Sequence, residues 1–144
     1  MQGKIWNILW ILLFVFFTKS IAAQELPEYD MSDTTLTDCK GILYDSGGEF
    51  GQYSNEEFTT LTITTGGPIT IVFQGSFAMD PGNDFLFVYN GTSSAAPLLG
   101  QFTGTTVPPS LTASSGSITF VFESDNSDAF GVITVDPLLF LANC

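Results

Sequence analysis

From residue 41 onward, short apolar runs alternate with clusters of Gly, Ser, Asn and Pro, and no stretch sustains a 3.6-residue period. The spacing predicts strands over 59–65, 69–77, 84–89, 98–103, 118–123 and 131–135, with shorter ones near 42–44 and 111–113. Leu61 and Ile63 fall on one face of their run, and Thr60, Thr62 and Thr64 on the other. Ile69, Ile71 and Phe73 repeat this alternation, as do Ile118, Phe120 and Phe122. The run 84–89 is apolar at both parities, which predicts a central strand covered on both sides. Turns are expected at Gly66-Gly67-Pro68, Pro81-Gly82-Asn83, Asn90-Gly91, Pro108-Pro109 and Ser115-Gly116. Short strands at this spacing imply an all-β, antiparallel sandwich. The 11 Phe residues beyond the first 23 positions are expected mainly in its core.

The beginning of the chain follows a different plan. Lys4 precedes an almost wholly apolar run, 5–17, interrupted only by Asn7. Small residues then offer a cleavage site near Ala22 or Ala23. Residues 1–23 are therefore expected to be a secretory signal peptide. The apolar run is shorter than the roughly 20 residues a membrane-spanning helix needs. Residues 24–38 are acidic and poor in apolar side chains, and are expected to form a flexible lead-in. The folded domain is then 39–144, exported and soluble or surface-held.

Composition narrows the function. The chain has no His and no Arg, and both Trp residues, Trp6 and Trp10, lie in the first 23 positions. Beyond that stretch Lys40 faces all 15 carboxylates, a net charge of −14. Without His there is no Ser-His-Asp triad, Cys-His pair or His-ligated zinc. Phosphate neutralisation, the basis of nucleic-acid binding, is excluded. A saccharide platform would have to use Tyr or Phe.

Several segments, taken in order, carry a resemblance. Cys39-Lys-Gly41 and Tyr44-Asp-Ser-Gly-Gly48 through Tyr53 come first. Ile69-Thr-Ile-Val-Phe73, Phe77 and Asp84-Phe-Leu-Phe-Val-Tyr-Asn-Gly91 follow, and then Leu99-Gly-Gln-Phe-Thr-Gly104 with Pro108. Ile118-Thr-Phe-Val-Phe-Glu-Ser-Asp125 and Gly131-Val-Ile133 close the set. Together, over about residues 39–136, they resemble a CUB domain, especially the CUB-like domains of secreted bacterial surface proteins. The resemblance implies a β-sandwich of jelly-roll type that binds extracellular proteins or carbohydrates and catalyses nothing.

It also implies a Ca²⁺ site in loops at one end of the sandwich. Asp84 and Asp125 match the family's positions, and Asp80 matches with a one-residue offset. Asp128 falls where a further side-chain oxygen is often supplied, and Asn126 offers a carbonyl. The residues themselves suit this role: Asp80-Pro-Gly-Asn-Asp84 and Asp125-Asn-Ser-Asp128 are oxygen-rich turn sequences, and Ca²⁺ takes six to eight oxygen ligands from such loops. Asp and Asn are also ordinary turn formers. In several members of the family a basic side chain of a partner docks at these loops, and Tyr53 and Tyr44 are candidates for flanking ligand contact here, with a core or edge role as the alternative for each.

The family commonly has four cysteines, whereas this chain has two, Cys39 and Cys144. In an exported chain two cysteines usually pair. The expected function is a secreted binding or adhesion module, with an accessory domain of a larger secreted hydrolase as the alternative. A glycosidase working through paired carboxylates is disfavoured, because its Asp residues would lie in end loops without a deep cleft.

Overall fold

A computed structural model describes residues 25–75, 77–127, 138–142 and 144. Every regular element among them is a strand: β1 (Glu28–Asp30), β2 (Thr34–Leu36), β3 (Lys40–Tyr44), β4 (Phe58–Thr64), β5 (Ile69–Val72), β6 (Phe85–Tyr89), β7 (Leu98–Phe102), β8 (Leu111–Ala113), β9 (Ser117–Glu123) and β10 (Leu138–Ala142). They form two five-stranded sheets, ordered β1-β3-β10-β5-β8 and β2-β4-β9-β6-β7. The expected all-β sandwich is the fold observed. Its pairing is antiparallel except where β1 runs parallel to β3 and β2 parallel to β4.

The alternation read from the chain sorts the side chains as expected. Leu61, Ile63, Ile69, Ile71, Ile118 and Phe120 are buried between the sheets, joined by Val88 and Phe140. Burying residues of this size contributes about 1.5–3 kcal/mol each, which makes this layer the main source of stability. On the opposite face of the second sheet, the Thr62 and Thr119 hydroxyls hydrogen-bond across β4 and β9 at 2.9 Å.

Four expectations need correction. The stretch 24–38, read as a flexible lead-in, carries β1 and β2, each of which extends a sheet edge. Strand 69–77 ends at Val72, and Phe73 and Phe77 stay in the core without strand pairing, their rings 6.1 Å apart. Strand β6 is interior to its sheet, between the central β9 and the edge strand β7, but it is not covered on both sides. Only Val88 of β6 is fully buried, while Phe85, Phe87 and Tyr89 are half-buried on the outer face. Not all Phe residues are core, since Phe50 and Phe58 are exposed. The expected signal peptide 1–23 and strand 131–135 lie outside the described residues.

Candidate functional site at one end of the sandwich

Two loops meet at the end of the sandwich where β6 begins and β9 stops. The first is a turn from Asp80 to Asp84. The Asp80 carbonyl accepts the amides of Asn83 (3.3 Å) and Asp84 (3.1 Å), and Gly82 supplies a positive φ of 83°. The tightness of this turn needs a residue free to enter the left-handed region, which Gly does without steric cost. The Gly82 amide donates to Thr103 Oγ1 at 2.8 Å, and that hydroxyl donates to the Asp80 carbonyl at 3.1 Å. This ties the turn to the end of β7.

The second loop leaves β9 at Ser124 and Asp125. Ser124 Oγ donates to the Ser54 carbonyl (2.8 Å) and accepts the Glu57 amide (2.9 Å). The Asp125 carbonyl accepts the Glu56 amide at 2.8 Å. Segment 53–57 is thus stapled along this loop. Asp125 Oδ1 accepts both the amide and the hydroxyl of Ser127 at 2.7 Å, an Asx turn that curls the loop back on itself.

The carboxylates are joined by hydrogen bonds. Asp84, 1 % exposed, accepts the Tyr53 hydroxyl at Oδ2 and the Asp125 amide at Oδ1, the latter at 2.9 Å. Asp80 Oδ2 accepts Asn83 Nδ2 at 2.9 Å and lies 3.2 Å from Ser127 Oγ. One hydroxyl therefore stands within bonding distance of both Asp80 and Asp125. Burial, reinforced by the hydrogen bond to Asp84, pushes the Tyr53 phenol well above its ordinary pKa, so it remains a donor. Its ring packs edge-on against Phe122, with centroids 4.8 Å apart.

Hydrogen bonds link Asp80, Asp84 and Asp125, three of the five residues expected to ligate Ca²⁺. Asn126 is exposed, and Asp128 lies outside the described residues. Tyr53, expected beside a ligand, is only 2 % exposed and acts as an internal strut for Asp84. Ser127 and Asn83 were missed as participants; the signal available for both was position alone, between paired Asp residues in a turn. Among the described residues, no three carboxylates close on a single point as metal ligands would. The donor set still fits Ca²⁺: it is all oxygen, carboxylate-rich and carried on two loops.

This arrangement belongs to a class of two-sheet β-sandwiches with acidic end loops, and comparison with known proteins names the class. The CUB domain family profile matches residues 33–131. The chain belongs to the CUB domain family. It is 31% identical over 91 residues to Cubilin of Homo sapiens, covering 60% of this chain and 2% of Cubilin. Cubilin of Canis lupus familiaris is 28% identical over 103 residues, covering 63% of this chain and 3% of that protein. The chain thus spans only a small fraction of the length of these relatives. Among solved structures, the MASP-1 CUB2 domain bound to Ca²⁺ superposes with a TM-score of 0.64 at 22% identity, covering 77% of this chain and 99% of that one. The CUB1-EGF-CUB2 region of human MASP-1/3 gives 0.65 at 21% identity, covering 79% and 43%. The full extracellular region of zebrafish Gpr126/Adgrg6 gives 0.60 at 20%, covering 78% and 15%. At these identities the structural likeness concerns the fold.

Proposed function

We propose that this chain is a secreted, non-catalytic binding module whose end loops hold Ca²⁺ and recognise an extracellular protein or a carbohydrate. The observation that carries this reading is the hydrogen-bonded linkage of Asp80, Asp84 and Asp125 through Tyr53 and Ser127. Asp80, Asp84 and Asp125 would hold the ion, with Asn126 and Asp128 as further oxygen donors. A bound divalent cation supplies a cross-link between the loops and offsets the mutual repulsion of their carboxylates. Carboxylate oxygens left over can accept a basic side chain from a partner, and the acidic surface speeds such an encounter. The Cys39–Cys144 disulfide supports export, since such bonds persist in oxidising compartments. No helix among the described residues is long and apolar enough to cross a membrane.

Thermal melting with added Ca²⁺ tests the reading. A ligand that binds only the folded state at 100 times its Kd stabilises by about 2.7 kcal/mol, so the midpoint should rise by several degrees. EDTA should reverse the shift, and Asp125→Asn should diminish it. A melt unmoved by saturating Ca²⁺ or EDTA refutes the calcium site.

A further inference from the structure

The calcium reading leaves one feature of the second sheet unused, on its outer face. Leu61, Ile63, Ile118, Phe120, Phe122 and Val88 point into the core, so the alternate residues of β4, β9 and β6 point outward. The pairing register sets Phe58 opposite Glu123, and Glu123 opposite Phe85. A single row across three strands therefore reads Phe58–Glu123–Phe85. Side chains directly opposed in antiparallel strands stand about 4.5–5.5 Å apart at Cβ, so the carboxylate has a ring on either side. Phe58 is 67% exposed, while Glu123 and Phe85 are half-buried. Phe87 and Tyr89 extend the aromatic line along β6, with successive centroids 5.8 and 6.5 Å apart.

Two physical facts indicate what such a row complements. An exposed large aromatic ring is left uncovered at a cost, and here it borders a carboxylate. The single cation among the described residues, Lys40, lies on β3 in the other sheet. Nothing in the chain's own described surface matches the charge of Glu123. A guanidinium satisfies all three groups together: its plane stacks on aromatic faces, its N–H fork bonds a carboxylate, and it is weakly hydrated. A neutral sugar would use the rings and leave the charge unmatched.

We propose that the Phe58–Glu123–Phe85 row is a docking site for an arginine side chain of a partner protein, whose chain runs on along Phe87 and Tyr89. The site lies on the sheet face rather than in the end loops and does not rest on the calcium reading.

NMR titration of the folded chain with N-acetyl-arginine amide tests the site. Saturable shifts are expected at Phe58, Glu123 and Phe85, and they should persist in EDTA. Phe58→Ala should weaken binding about 2- to 5-fold, the range for an exposed cation–π contact. Glu123→Gln should weaken it at least as much. Phe58→Tyr, which keeps a ring, should retain the affinity, as should Glu28→Gln on the other sheet. Phe58 is exposed, so its truncation leaves the core intact. Equal affinity for the wild type and Glu123→Gln overturns the proposal. So do shifts confined to residues 80–84 and 125–127, or their loss in EDTA.

Discussion

Asp45 follows β3 and is 9% exposed. Its Oδ1 accepts the Gly47 amide at 2.7 Å, while Oδ2 meets no hydrogen-bond donor among the described residues. It borders an apolar cavity of about 40 Å³ shared with Met31, Leu43, Phe77 and Met79. Burial, aided by the charges of Glu57 and Asp30 and opposed by the Gly47 and Gly48 amides, raises its pKa from 3.8 to about 6. The folded state therefore holds a proton that the unfolded chain releases between about pH 4 and pH 6. Its contribution to stability is fully present below pH 4 and is lost as pH rises through 6. At neutral pH the ionised side chain is a net cost, on the order of 2 kcal/mol. Asp45→Asn keeps an acceptor for the Gly47 amide and removes the charge. The variant should melt several degrees above the wild type at pH 7.5, and the gap should close near pH 4. A gap that is constant with pH would show that Asp45 is not the titrating group.

Gly41 shows how one position can decide the geometry of an element. It pairs with Phe140 of β10, and Tyr29 of β1 lies on its other side, the two rings 6.1 Å apart. A Cβ at Gly41 would stand 2.6 Å from the Phe140 ring and 2.9 Å from the Tyr29 ring. Phe140 is fully buried, and the Tyr29 hydroxyl is held by Asp38 at 2.6 Å. Phe140 has no room to withdraw, and the half-buried Tyr29 ring can shift only by straining that hydrogen bond. Gly41→Ala should thus cost roughly 1–3 kcal/mol by overpacking, read as a lower urea midpoint at unchanged m-value. Across the two sheets, some elements were legible in the sequence and others were not. Strands β4, β5 and β9 announce themselves by alternation, broken at Phe58, Val72 and Val121, because each has one face on the core and one turned away from it. The run 138–142 is apolar at all five positions and carries no period, so nothing in it distinguishes a strand from any other apolar segment. Strands β1 and β2 are three residues long and mostly polar. Their order comes from pairing with β3 and β4, which no local pattern contains. In β6, apolar residues at both parities suggested two covered faces, yet one parity forms the outer aromatic line.

At the scale of the molecule, charge and topology act together. Asp80, Asp84 and Asp125 were grouped through the family resemblance and the oxygen-rich turns that carry them, and hydrogen bonds link those turns to each other. For Tyr53 the sequence left a ligand-flanking role and a core role both open, and its burial depends on segment 53–57 being stapled to the loop after β9, a contact between residues about 70 positions apart. The disulfide acts at the same scale. Cys39 precedes β3 and Cys144 follows β10, strands that are neighbours in one sheet, and their Cα atoms are 5.9 Å apart. The Cys39 carbonyl also accepts the Ala142 amide at 2.7 Å, so backbone pairing positions the sulfurs before they bond. With the two cysteines 105 positions apart, the chain-entropy estimate assigns the bond roughly 4–5 kcal/mol. That stabilisation comes from the unfolded chain, which the cross-link keeps compact and which otherwise gains from its large negative charge, since repulsion favours expansion. A Cys39→Ala, Cys144→Ala variant should therefore lose most of that amount in low salt and visibly less in high salt, where screening compacts the reduced unfolded chain. Urea denaturation at the two ionic strengths measures both quantities. A loss below about 1 kcal/mol in each would show that the backbone pairing of β3 with β10 already does the work of the cross-link.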